Sequence, residues 1–228
     1  MMDFIKGELI LINKPLNWTS FDVVKKIRRT IAIKYKKSGI KVGHAGTLDP
    51  LATGLMIICT GKLTKKILEY QEYHKEYIAT LKLGATTPSF DLETEIDKYY
   101  SFDHVNESLI NKTIKEYTGQ IYQIPPDFSA KFIKGIRAYK YARKGKKISL
   151  KPSRIFIDKI EILKFELPVL EIKVKCSKGT YIRSLVRDIG NSLNCGAHLI
   201  KLVRTAIGDF SLNEAISVED FERQLKFL

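Results

Sequence analysis

RIFIDKIEILKFELPVLEIKVKC, residues 154–176, sets two strand-like runs on either side of Pro168. In the second run Leu170, Ile172, Val174 and Cys176 fall on one face and Glu171, Lys173 and Lys175 on the other. That period of two is the pattern of a strand with one buried side, and two such runs across a tight turn predict antiparallel neighbours. The same alternation recurs upstream in KEYIATLKLG (75–84), where Tyr77, Ala79, Leu81 and Leu83 oppose Ile78, Thr80 and Lys82. GELILINKP (7–15) reads as a further strand, ended by Pro15.

Helices interrupt the strands irregularly. TSFDVVKKIRRTI (19–31) opens with Thr19 and Asp22 at capping-box spacing and places Phe21, Val24, Ile27 and Ile31 near one helical face. DHVNESLINKTIKEYTG (103–119) has Asp103 as a candidate cap, Val105, Leu109 and Ile110 on a stripe, and Gly119 as a stop. YIRSLVRDIGNSL (181–193) and SVEDFERQLKFL (217–228) read as two more helices. The expected class is therefore α+β: a mixed, mainly antiparallel central sheet with flanking helices, in one domain over residues 1–228 with no clean internal boundary. A doubly wound parallel fold fits poorly. Six residues separate Gly54 from Gly61, and Leu63 stands where a phosphate loop needs Ser or Thr.

Composition bounds the function. With 228 residues, 44% of them hydrophobic, the chain can bury a substantial core. No apolar run reaches the roughly 18 residues that span a bilayer. Residues 1–12 carry Asp3, Lys6 and Glu8 where a signal peptide needs its apolar stretch, so a cytoplasmic location is expected. Cys59, Cys176 and Cys195 are scattered and odd in number, which predicts buried thiols, with neither a disulfide framework nor a metal site.

The formal net charge of +14 points to a polyanionic partner. Between Asp127 and Asp158 there is no acidic residue, while ten basic ones run from Lys131 to Arg154, among them Lys146 and Lys147. Phe132, Tyr139 and Tyr141 interleave with them and offer faces for base stacking. A solvated basic face is the plainer alternative; the aromatics favour RNA.

GHAGTLDPLATG (43–54) is too irregular for an ordinary strand or helix. Gly43, Gly46 and Gly54 permit sharp bends, and Pro50 disfavours helix at Asp49, so a lone carboxylate sits in a stiff loop. Taken alone, Asp49 is equally readable as a turn former bonding its own backbone, and His44 as a hydrogen-bonded structural residue.

The stretch GHAGTLDPLATGLMIICTGKLTK (43–65) resembles the signature of the bacterial tRNA pseudouridine synthase B family, TruB. INKPLNWTSFDVV, KEYIATLKLGATTPSFD, IPPDFSAKFIKGIRAYKYARKG, CSKGTYIRSLVRDIG and CGAHLIKLVRTAIGDF resemble further family blocks in the family's order, up to about Phe210. The resemblance implies the pseudouridine synthase fold and isomerisation of uridine-55, in the T loop of tRNA, without metal, nucleotide or redox cofactor. It implies Asp49 as the catalytic carboxylate, Arg183 as its ion-pair partner, and Tyr77 as the ring stacked on the target base and concerned with deprotonation at C5. Tyr181 and Leu202 resemble the residues lining the uracil pocket. Asp91 resembles an acidic residue near the active site, although FDLETE departs from the family's Gly-containing turn and leaves its role open.

A stacked base must be extruded before it can react, and by resemblance His44 fits the wedge that fills the gap. Lys62 and Lys65 suit phosphate contacts, or else a solvated helix start. The tRNA T stem-loop is the implied partner of a monomer with no obligate protein partner and no membrane. The family's small C-terminal RNA-binding PUA domain is expected to be absent or reduced beyond recognition. A tRNA-folding chaperone without catalysis is the contrasting reading, and the two activities are compatible. A synthase for another RNA is a third.

Overall fold

The computed structural model describes residues 3–133, 135–146 and 148–227. The chain begins with β1 (Leu9–Lys14), α1 (Ser20–Lys34), β2 (Val42–His44), β3 (Ala52–Thr60), a 3-10 helix (Gly61–Lys66), α2 (Ile67–Glu72) and β4 (Lys75–Leu83). It continues through β5 (Ala85–Thr86), β6 (Lys98–Tyr99), α3 (Glu107–Glu116), β7 (Gly119–Gln123), β8 (Phe132–Ile133), β9 (Ile136–Arg137) and α4 (Ala138–Ala142). After these come β10 (Ser153–Glu166), β11 (Val169–Cys176), α5 (Ile182–Ser192), β12 (Ala197–Ile207), β13 (Phe210–Ser211) and α6 (Val218–Phe227). The class is the expected α+β with mainly antiparallel pairing. Two compact units divide the chain at Ile78/Ala79 and Lys201/Leu202. Both divisions fall inside strands, β4 and β12, which is why no linker composition marks them in the sequence.

In the first unit β1 and β2 pair antiparallel with β3, and β12 joins β3 in parallel, with Leu202 opposite Ala52 and Arg204 opposite Gly54. Leu55, Met56, Ile57 and Ile58 of β3 are all fully buried, so this strand has apolar neighbours on both faces. Alongside it α1 packs on α6, and Phe4 meets Phe221 edge-on at 6.1 Å. The capping box is present: the Asp22 amide donates to the Thr19 hydroxyl at 3.0 Å, and the Thr19 amide to the Asp22 carboxylate at 2.9 Å. One expectation for this helix fails. Phe21 is 64% exposed, and Val23 shares the buried face with Val24, Ile27 and Ile31 instead.

At Gly54 the backbone of β3 lies close against that of β12. Its φ is +109°, and a Cβ there would lie 2.3 Å from the Arg204 carbonyl oxygen and 2.7 Å from its nitrogen. Neither the conformation nor the space admits a side chain. Gly54→Ala is expected to destabilise the fold by about 3 kcal/mol or more, lowering the melting temperature by roughly 6–12 °C for a chain of this size. Calorimetry checks it.

In the second unit β10 pairs antiparallel with β11, as the two runs across Pro168 predict, and also with β7, which the sequence reading did not assign; Leu170, Ile172, Val174 and Cys176 are fully buried. The helix expected over 103–119 starts later than its sequence cue. Asn106, not Asp103, caps α3 by accepting the Leu109 amide at 2.9 Å, because Asp103 accepts the Ser101 hydroxyl in the preceding turn. Leu109 is only half-buried; Ile110, Thr113 and Ile114 form the inward stripe. The three cysteines are buried and unbridged, and burial pushes the Cys59 thiol up to about 11. Among the described residues no helix is long and apolar enough to cross a membrane.

Candidate active site

In the first unit Asp49 sits in the loop between β2 and β3, and side chains brought from distant parts of the chain hold that loop at several main-chain points. The Ser20 hydroxyl donates to the Leu48 carbonyl at 3.0 Å and accepts the Leu48 amide at 2.8 Å. Asn17, itself at φ +65°, donates its amide to the Pro50 carbonyl at 2.9 Å, and the Ala52 amide closes the turn on the Asp49 carbonyl at 3.1 Å. Every polar group of this irregular stretch that is satisfied this way is one fewer reason for the loop to open.

Two buried cations complete the cradle. Arg204, 1% exposed, donates Nε to the Leu55 carbonyl at 2.7 Å and Nη2 to the Gly46 carbonyl at 3.1 Å, tying the two arms of the loop together. Lys14 is fully buried and donates Nζ to the carbonyls of Trp18 at 2.6 Å, Pro15 at 2.8 Å and Pro50 at 3.3 Å. Burial pushes the Lys14 ammonium down to about 8; the Asp49 charge opposes that and the Arg204 charge adds to it. An anionic group at Asp49 therefore stands in a field of fixed positive charge.

Sequence reasoning missed Lys14, Ser20 and Arg204. A signal for the first was present: Ile10, Ile12 and Lys14 share the inward parity of β1, and a lysine there needs acceptors.

The other residues expected in this unit are placed as follows. His44 ends β2, and burial holds its imidazole below the ordinary value, with the Arg204 charge lowering it further. Its Nδ1 is buried and, among the described residues, has no hydrogen-bond partner within bonding geometry. Tyr77 lies on the inward parity of β4, 9% exposed, and Leu202 on β12 is 7% exposed. Lys62 and Lys65 are exposed on the 3-10 helix and border a basic hollow of about 250 Å³ together with Lys37 and Lys41.

The second unit holds Arg183, Asp91 and Tyr181. Arg183 is in the first turn of α5, 3% exposed, with Nε 3.5 Å from the Asp91 carboxylate. Its Nη1 donates to the Ser89 carbonyl at 3.2 Å and Nη2 to the Phe128 carbonyl at 2.9 Å. Asp91 is itself buried, and its other carboxylate oxygen accepts the Glu93 amide at 2.9 Å. Phe90 takes the left-handed conformation, φ +64°, in the turn before it. Asp91 thus has a definite structural part, as the buried counter-charge of Arg183. Gln123 clamps the Tyr181 peptide, accepting its amide at 2.8 Å and donating to its carbonyl at 3.1 Å.

Of the basic excursion, Lys134 and Lys147 lie outside the described residues. Arg137 covers the exposed Phe132 ring at 3.7 Å, Arg143 lies 5.4 Å from the Tyr139 ring and 2.6 Å from the Glu93 carboxylate, and Lys131 donates to the Ser153 hydroxyl at 2.6 Å. Lys140, Lys144, Lys146 and Lys151 are exposed.

Residues 28–182 match the family described as TruB family pseudouridylate synthase (N terminal domain), and residues 183–228 match the tRNA pseudouridylate synthase B C-terminal domain. The chain is 57% identical over 221 residues to the tRNA pseudouridine synthase B of Parabacteroides distasonis, covering 97% of this chain and 94% of that one. It is 49% identical over 227 residues to the protein of the same name from Flavobacterium johnsoniae, covering 98% of each. A chain in the crystal structure of a Cbf5-Nop10-Gar1 complex superposes with a TM-score of 0.73 at 28% identity, over 98% of this chain and 56% of that one. One in a structure of an H/ACA RNP bound to a substrate RNA containing 2'-deoxyuridine gives 0.70 at 27% identity, over 98% and 55%.

Proposed function

The chain belongs to the TruB family of pseudouridylate synthases, and on that premise we propose that it isomerises uridine-55 in the T loop of tRNA to pseudouridine, with Asp49 as the catalytic carboxylate. The reaction breaks the N1–C1′ glycosidic bond, turns the uracil while it stays bound, forms the C5–C1′ bond, and moves the proton from C5 to solvent while N1 gains one. Breaking the glycosidic bond builds positive character at C1′, which a fixed carboxylate stabilises or attacks. Removal of a sugar proton to give a glycal is the other route open to the same group. The observation that carries the assignment is the cradle: Ser20, Lys14 and Arg204 hold the loop of Asp49 at the Leu48, Pro50 and Gly46 carbonyls.

Arg183 is read as the guanidinium that serves the catalytic carboxylate, with Asp91 fixing Arg183 in turn. Tyr77 is read as the ring under the target base, Tyr181 and Leu202 as lining of the uracil pocket, and His44 as the wedge left in the RNA after extrusion. In this reading residues 1–228 serve as one catalytic domain, acting as a cytoplasmic monomer on the T stem-loop. Pseudouridine mapping of an unmodified tRNA transcript after incubation with the protein tests the activity. A single new pseudouridine at position 55 is expected; an unmodified transcript would overturn it.

RNA affinity should come largely from phosphate contacts by exposed lysines of the basic excursion. Replacing Lys144 and Lys146 by Ala is expected to weaken tRNA binding and lower the slope of log affinity against log salt by roughly one per lost contact. The saturated rate should stay within about twofold. Filter binding across a salt series checks this, and an unchanged slope would place those lysines away from RNA.

A further inference from the structure

The outward face of the β7–β10 pair carries a group of side chains that neither the core nor the site described above uses. The register puts Arg154 opposite Tyr122 and Phe156 opposite Gln120. Ile155 and Ile157, the intervening residues of β10, point into the core at 4% and 0% exposure, so Tyr122, Gln120, Arg154 and Phe156 all stand on the opposite side. Tyr122 is 72% exposed and Phe156 43%. As diagonal cross-strand neighbours their stems lie about 7 Å apart, with the Arg154 guanidinium beside them.

Hydrogen bonds tie this surface to its neighbours. Arg154 donates to the Gln120 side chain, and Ser177 brackets Phe156 by accepting its amide at 2.9 Å and donating its own amide to the Phe156 carbonyl at 2.8 Å. Farther along the same face, Asp158 is neutralised by Lys175 at 3.1 Å. The strands also flank the basic excursion, which leaves the sheet after β7 and returns at β10. Two exposed aromatic faces with a cation beside them on a sheet, in a chain of net charge +14, match what unpaired nucleotides require: π surfaces for the bases and positive charge for the backbone.

We propose that Tyr122, Phe156 and Arg154 form a stacking platform for unpaired nucleotides of the RNA substrate, distinct from the residues assigned to the target uridine. The proposal rests on the RNA-modifying reading for the identity of its ligand. Stacking on Tyr122 and Phe156 adds affinity that salt does not screen, whereas the Arg154 and lysine contacts weaken as salt rises.

The test is the double variant Tyr122→Ala/Phe156→Ala, with Tyr122→Trp/Phe156→Trp as its partner, each titrated with an unmodified tRNA transcript at low and high salt and assayed for pseudouridine formation. Both side chains are exposed, so the melting temperature should move little. The alanine pair is expected to raise Kd about tenfold or more at both salt concentrations, with the saturated rate kept within about twofold. The tryptophan pair should bind within about threefold of wild type. Unchanged affinity in the alanine pair overturns the platform. So does a change in sedimenting mass that accounts for the affinity loss, since that would make the face a protein interface. If the wild-type protein formed no pseudouridine yet lost tRNA affinity in the alanine pair, the catalytic reading would fall and the platform would stand.

Discussion

Asp49→Asn leaves a folded protein that binds tRNA and does not turn it over. Asn keeps the size of the side chain and much of its hydrogen bonding, so the turn closed by the Ala52 amide survives, as do the Ser20, Lys14 and Arg204 contacts, which go to main-chain atoms and not to the Asp49 side chain. What is lost is the negative charge and the nucleophilic oxygen. A group needed only as chemistry proceeds affects the rate and not the ground state, so turnover should fall by at least about 10⁴-fold, roughly 5 kcal/mol of barrier. Affinity, set by phosphates and loop shape elsewhere, should stay within about tenfold, or roughly 1.4 kcal/mol. Steady-state assays beside filter binding check the separation. If Asp49 only shaped a turn, Asn would serve nearly as well and the rate would hold.

Arg183→Lys is the second large effect. The guanidinium places Nε on Asp91 and two further nitrogens on the Ser89 and Phe128 carbonyls, a planar fork that a lysine ammonium cannot reproduce. Lysine keeps the positive charge, so Asp91 is not left as a lone buried anion, a condition that would cost about 3–5 kcal/mol and threaten the fold. The expected loss is therefore in orientation: kcat reduced by about 10²–10³-fold with KM for tRNA within about threefold. A purely structural arginine would instead lower the melting temperature and leave kcat per folded molecule intact. Thermal melts run with the kinetics separate the two.

What the sequence disclosed follows from which signals are local. β11 and β4 were legible because each has one buried face, which writes itself as alternation, and α1 because its capping box is contained in four residues. β3 was not assigned. A strand buried on both sides, as LMIIC is, loses the alternation and leaves only an apolar run. Phe21 misled for a related reason: spacing predicts which residues share a helical face but not how much of that face the neighbours cover.

At the candidate site, the glycines and Pro50 announced a stiff loop around Asp49. Its supports did not show, because Arg204 lies 158 residues from Gly46 and reaches it only through the parallel pairing of β12 with β3. Asp91 is the opposite case. Its partner became clear only in the fold, where a left-handed Phe90 stands in the turn beside it.

The central claim is that the Asp49 carboxylate performs glycosidic chemistry on tRNA. Its most direct test is single-turnover tritium release from a tRNA transcript labelled at C5 of uridine, with protein in excess so that every transcript is bound. Wild-type protein should release about one equivalent from the target nucleotide, and Asp49→Asn, bound to the same transcript, should release none. Release by the Asn variant at a rate within tenfold of wild type would contradict the assignment.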